Sequence, residues 1–79
     1  MRGANPGVIR RSRKWHARVP LYGRWLWLGS LPTEWEAARV CRRARLLTPA
    51  ELFLVSQCRG GRARLKLLGR LLSKKQNQN

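Results

Sequence analysis

"RWLWLGSLPTEWEAARV", residues Arg24 to Val40, decides how this chain folds, because two periodicities meet in it. In the first half, Leu26 and Leu28 fall on one face of a strand and Trp25 and Trp27 on the other. In the second half, Thr33 is an N-cap and Glu36, three residues on, completes a Thr-x-x-Glu capping box. A helix is therefore expected from about Glu34 to about Leu47. The strand poses a problem, since both of its faces are apolar. A small antiparallel sheet normally buries one face and wets the other. What the tryptophan face meets is the functional question.

Working outward toward the N-terminus, Lys14 to Leu21 alternates in the same way. Trp15, Ala17 and Val19 point to one side, His16 and Arg18 to the other. Pro20 removes a backbone donor, which suits a strand end. Gly23 supplies a turn residue free to take positive φ. Gly7 to Arg13 is a candidate first strand, and Met1 to Pro6 reads as a loose basic arm. The third strand is expected to run from Arg24 to Leu28, with Gly29 and Ser30 ending it.

Toward the C-terminus, Ala37, Cys41 and Ala44 recur at helical spacing beside Ala38 and Val40. This small-residue face lets a helix lie close to a sheet. Arg39, Arg42, Arg43 and Arg45 take the opposite side, with no acid after Glu36 to pair them. Trp35, in the first turn, is expected to pack at the sheet edge. Thr48, Pro49 and Glu51 repeat the start signal and predict a second helix, about Pro49 to Cys58, ended by Gly60 and Gly61. Leucines 65, 67, 68, 71 and 72 predict a third, amphipathic helix with a basic back. Gly69 weakens it by about 1 kcal/mol relative to alanine. The expected architecture is α+β: a three-stranded antiparallel sheet packed on one helix, with one or two further helices. It divides into a sheet-plus-helix unit over 1–47, a helical extension over 48–75 and a polar tail over 76–79.

The charge narrows the function. Among 79 residues, 18 are Lys or Arg and 3 are Asp or Glu, a formal net charge of +15. Such a surface calls for a polyanion, and nucleic acid is the usual one. The three acids, Glu34, Glu36 and Glu51, all fall in expected first helical turns, where they meet the positive end of the helix dipole. No carboxylate pair is left for acid–base chemistry or for holding Mg²⁺. Cys41 and Cys58 fit no metal spacing and read as buried or incidental thiols. The chain is expected to be non-enzymatic, with no cofactor and no metal. No apolar run is long enough to span a bilayer, and the N-terminus lacks the apolar segment of a secretory signal. A basic amphipathic helix on an anionic membrane is the rival for the C-terminal leucines, but that segment lacks an aromatic anchor.

The order Gly7-Val8, Lys14-Trp15-x-Ala17, Trp27-Leu28-Gly29 and Thr33-x-x-Glu36-Ala37-Ala38 resembles the AP2 DNA-binding domain of plant ethylene-response factors and of many phage and mobile-element proteins. The resemblance covers about Asn5 to Leu47. It implies a sheet whose exposed face lies in the DNA major groove, with the helix on the other face. Carried over by position, Ile9 and Arg11, Arg18 and Pro20, and Trp25 and Trp27 would contact DNA. Ile9, Pro20 and Trp25 stand where the family has arginines. Cys41 and Arg42 replace its tyrosine and aspartate. The fold therefore carries over further than any base-reading code. The size and the resemblance imply a phage or bacterial mobile-element protein acting in the cytoplasm, near the nucleoid.

The expected DNA face is then Trp25, Trp27, Arg18 and His16, flanked by Arg11, Arg13 and Arg24. Arginine reads guanine edges or neutralises phosphate, and aromatics interleaved with basic residues suit nucleic acid. The expectation is a double-stranded DNA binder, a small regulator or accessory factor. Two other functional readings stay open. One is an inhibitor that docks on an acidic host protein such as a polymerase or nuclease. The other is a binder of structured RNA. Two other fates for the tryptophan face also stay open: the C-terminal helices fold back over it, or a protein partner covers it. Pairing of two copies as a homodimer through the C-terminal helices stays open as well.

Overall fold

The computed structural model describes residues 6–76. The basic arm over 1–5 and the end of the polar tail, 77–79, lie outside the described residues. The sheet has three antiparallel strands in the order β1-β2-β3: β1 Val8–Arg11, β2 Lys14–Leu21 and β3 Arg24–Leu31. Three helices follow: α1 Glu34–Ala44, α2 Pro49–Ser56 and α3 Gly61–Gln76. The fold is α+β, as the alternation and the caps predict.

Both hairpins close through two residues of positive φ, Ser12 with Arg13 and Tyr22 with Gly23. That is the backbone a two-residue hairpin turn needs to match the strands' twist. Ser12 and Arg13 were expected inside the first strand; the pairing of Arg11 with Lys14 makes them its turn instead. The third strand corrects the sequence reading further. Gly29 and Ser30 do not end it: β3 runs to Leu31, because Ala17 pairs with Gly29 while Arg18 pairs with Trp27. Leu28 is the extra residue of a β-bulge. The bulge resets the alternation, so Leu28 and Gly29 are both buried and Ser30 turns to the opposite side.

Helix α1 buries the small-residue face: Ala37, Ala38, Cys41 and Ala44. Its start differs in detail from the expected box. Thr33 Oγ1 accepts the Glu36 N–H at 3.1 Å, but the Glu36 carboxylate accepts the Thr33 hydroxyl at 2.9 Å. At α2 the box is complete: the Glu51 N–H donates to Thr48 Oγ1 at 3.2 Å and the Thr48 N–H donates to Glu51 Oε1 at 2.8 Å. Helix α1 stops at Ala44, short of the expected Leu47, and α2 at Ser56, short of the expected Cys58. Trp35 is not packed at the sheet edge. It is 64% exposed, with the Arg39 guanidinium 5.7 Å from its ring.

One core joins every layer. Ala17, Val19, Leu26 and Leu28 from the sheet meet Ala37, Cys41 and Ala44 from α1, Leu52 and Val55 from α2, and Leu68 and Leu72 from α3. Trp15 is half-buried at its margin, with Arg10 stacked 5.3 Å from its ring. Helix α3 reaches the core by lying almost on β3. A Cβ at Gly61 would sit 2.8 Å from the Gly29 Cα, so only glycine lets the helix start there.

Candidate nucleic-acid interface

The bulge and the register decide which side chains share the open face. Ile9 and Arg11 on β1 pair with His16 and Lys14 on β2. His16 in turn pairs with Ser30, Arg18 with Trp27 and Pro20 with Trp25 on β3. These nine residues contain no acid. The three glutamates sit at helix starts, Glu34 and Glu36 on α1 and Glu51 on α2.

The tryptophans remain on the surface. Trp25 is 50% exposed and Trp27 36%. The C-terminal helices do not fold over them. Helix α3 instead runs against β3 and flanks Trp27: Gly61, Arg62 and Leu65 line a groove with it, and the Arg64 guanidinium lies 6.0 Å from its ring centroid.

Two contacts order the centre of the face. The Arg18 guanidinium lies 4.2 Å from the Trp25 ring centroid, a cation–π stack. Its Nε also donates to the Gly7 carbonyl at 3.3 Å. Beside it, the Trp27 indole N–H donates to His16 Nδ1 at 3.1 Å. An indole nitrogen only donates. His16 Nδ1 is therefore the acceptor, and the ring proton sits on Nε2. Ser30 Oγ lies 3.1 Å from the same Nδ1. His16 thus locks the Trp27 ring in place, a role its residue type alone does not reveal.

Of the seven residues expected at the interface, Arg11, His16, Arg18, Trp25 and Trp27 share the open face. The other two do not. Arg13 lies in the β1–β2 turn, exposed at one end of the sheet. Arg24 has the parity of buried Leu26, so it points to the helix side, where it lines a groove with Leu21, Phe53 and Ser56. Sequence reasoning missed Lys14 and Ser30. Ser30 was legible only through Gly29, since a lone glycine inside a strand pattern marks a bulge.

Arg64 is a second surprise. It belongs to the basic back expected of α3, yet it turns inward. Its Nη1 donates to the Trp27 carbonyl at 2.6 Å, its Nη2 to the Ser56 carbonyl at 3.1 Å and its Nε to the Cys58 carbonyl at 3.0 Å. One guanidinium caps the end of α2 and satisfies the carbonyl beside the bulge. It joins the C-terminal helices to the backbone that carries Trp27.

Cys41 is buried, and its Sγ–H donates to the Arg18 carbonyl at 3.3 Å. Burial pushes its thiol above the usual value despite three nearby arginines. Among the described residues, no three His, Cys, Asp or Glu side chains gather into a metal-sized group. No described helix is long and apolar enough to cross a membrane. No family model matches this chain, and neither a curated protein nor a solved structure is detectably similar to it.

Proposed function

We propose that this protein binds double-stranded DNA, without catalysis, through the open face of its sheet. The observation that carries the reading is an uncovered, acid-free face on which arginines and tryptophans are already ordered against one another. Pre-ordering lowers the entropy that binding would otherwise cost. In this reading Arg11, Lys14 and Arg18 meet phosphates or base edges, while Trp25 and Trp27 pack on sugars and thymine methyls. A three-stranded sheet entering the major groove, backed by a helix, is the arrangement that the AP2 resemblance implies. A role as a small regulator or accessory factor of a phage or mobile element belongs to the same proposal.

The test is a salt titration of binding to a random duplex of about 20 base pairs, followed by tryptophan fluorescence. The expected result is a steep, log-linear loss of affinity with salt, together with a tryptophan signal that changes on binding. Salt-dependent binding with a silent tryptophan signal would move the interface off the sheet. No duplex binding at all would overturn the proposal.

A second reading has its own observation. Tyr22, Trp25 and Phe53 are all exposed and line one groove of about 410 Å³ at the tip of the β2–β3 hairpin. An aromatic groove lined by Arg24, with Arg18 stacked on its Trp25, also suits an acidic protein. Such a partner would co-purify after nuclease treatment, and duplex DNA would not compete with it.

A further inference from the structure

The outer side of α3 carries a basic stripe with a definite course. Arg62, Lys66, Arg70 and Lys74 follow one another at four-residue intervals, and all four are exposed. The helical rise places them about 6 Å apart along the axis, over about 18 Å in all. The stripe begins at the sheet. Arg62 lines a groove of about 340 Å³ with Trp27, Ser30, Gly61 and Leu65. Trp27 and Ser30 belong to the open face, so the stripe continues that face onto the helix.

This arrangement works against the helix that holds it. Like charges at i,i+4 repel, and the stripe contains three such pairs in succession. Arg62 sits in the first turn, at the positive end of the helix dipole, and that turn holds no acid. The first turns of α1 and α2 do hold acids. Among the described residues the one ion pair is Lys75 Nζ with Glu51 Oε1, at 3.0 Å, and it leaves the stripe uncompensated. Nor does the stripe serve as the polar back of a lipid-binding helix. Leu68 and Leu72 are buried in the core, and Leu65, Leu67 and Leu71 pack against it. The apolar side that would enter a bilayer is already occupied.

We infer that α3 is a second nucleic-acid contact: a rail for the phosphate backbone that extends the sheet interface, with Arg62 at the junction and Lys66, Arg70 and Lys74 beyond it. The inference rests on the DNA-binding reading of the sheet. Its contacts are sequence-independent, so it adds affinity and leaves base preference to the strands.

The experiment compares the full chain with the variant Arg62→Gln, Lys66→Gln, Arg70→Gln, Lys74→Gln on the same duplex across a salt series. Each phosphate contact contributes about 0.9 to the slope of log K against log salt. The variant should lose about 3 to 4 from that slope, keep the tryptophan response, and unfold at the same temperature as the parent or higher, since the repulsion is relieved. A slope unchanged within about one contact overturns the rail. So does a variant that keeps its DNA slope but loses binding to phosphatidylserine vesicles, because the stripe would then serve a lipid surface. If the fourfold variant fails to fold, Lys66→Gln with Arg70→Gln carries the same test, with an expected loss of about 2. Failure of the parent chain to bind duplex DNA would strike the sheet reading itself. A parent that binds, beside a variant with the parent's slope, strikes the rail alone.

Discussion

The two faces of the sheet are built from the same three strands and obey opposite rules. The helix-side face is small and aliphatic: Ala17, Val19, Leu26 and Leu28, none more than 9% exposed. The open face is large, aromatic and cationic, and its side chains are held by contacts within the face. On the closed side, shape complementarity to α1 selects the residues, so volume is what matters. On the open side, Arg18 against Trp25 and His16 against Trp27 hold geometry without burying it. Truncation should therefore cost stability on one face and binding on the other, and that contrast can be broken.

The largest effect belongs to the closed face. Leu28 is fully buried in the bulge, between the sheet and the helices. Leu28→Ala should cost about 2–5 kcal/mol. A domain of this size has a total stability of roughly 4–12 kcal/mol, so urea unfolding should move sharply or find the variant already unfolded. A loss under about 1 kcal/mol would mean that this face is not close-packed.

Next is the arginine that ties the faces together. Arg64→Met keeps the length of the side chain but strips three carbonyls of their donor. The expected cost is about 1–3 kcal/mol, read by thermal unfolding, with a change in tryptophan emission because the Trp27 backbone loses its anchor. An unchanged melting temperature would show that water replaces the guanidinium freely.

The open face should respond the other way. Trp25→Ala should unfold close to the parent, because half of the ring is already in solvent, yet bind duplex DNA about tenfold more weakly, about 1.4 kcal/mol. Arg18→Ala should weaken binding too and also lower the salt slope. If Trp25→Ala instead destabilises the chain as Leu28→Ala does, the distinction between the faces collapses.

How much of this was legible follows the range of the interactions. Thr33 with Glu36 and Thr48 with Glu51 are local pairs, and they located both helix starts. Alternation located the strands and sorted Trp25 and Trp27 from Leu26 and Leu28. The bulge escaped because Gly29 reads equally as a strand end, so Ser30 was lost from the face and the length of β3 with it. Arg64 escaped for a different reason. Its partners are carbonyls, which every residue owns, and no residue type advertises them. The open state of the tryptophan face was undecided because it depends on where α3 settles. That is governed by Gly61 against Gly29, a contact between residues 32 apart in the chain.

The smallest effect concerns pH, and it separates the core from the helix starts. Cys41, beneath the sheet, has its thiol pKa raised above 9.0 by burial. The unfolded chain therefore deprotonates first. The thiol's contribution is complete below about pH 9 and is lost as pH rises through the raised value. Glu51, at the start of α2, is shifted the opposite way. The Thr48 N–H and Lys75 hold its pKa below 4.5, so its contribution is complete above that value and fades as pH falls through the lowered one. Stability should form a plateau between these limits, with a shallow acid edge and a separate alkaline edge. Glu51→Gln should remove the acid component alone. Cys41→Ala should remove the alkaline component while lowering the plateau, since it also takes a buried side chain from the core. If Glu51→Gln alters the alkaline edge, the helix start and the core do not titrate independently, and the two capped helices are coupled to the sheet more tightly than their contacts imply.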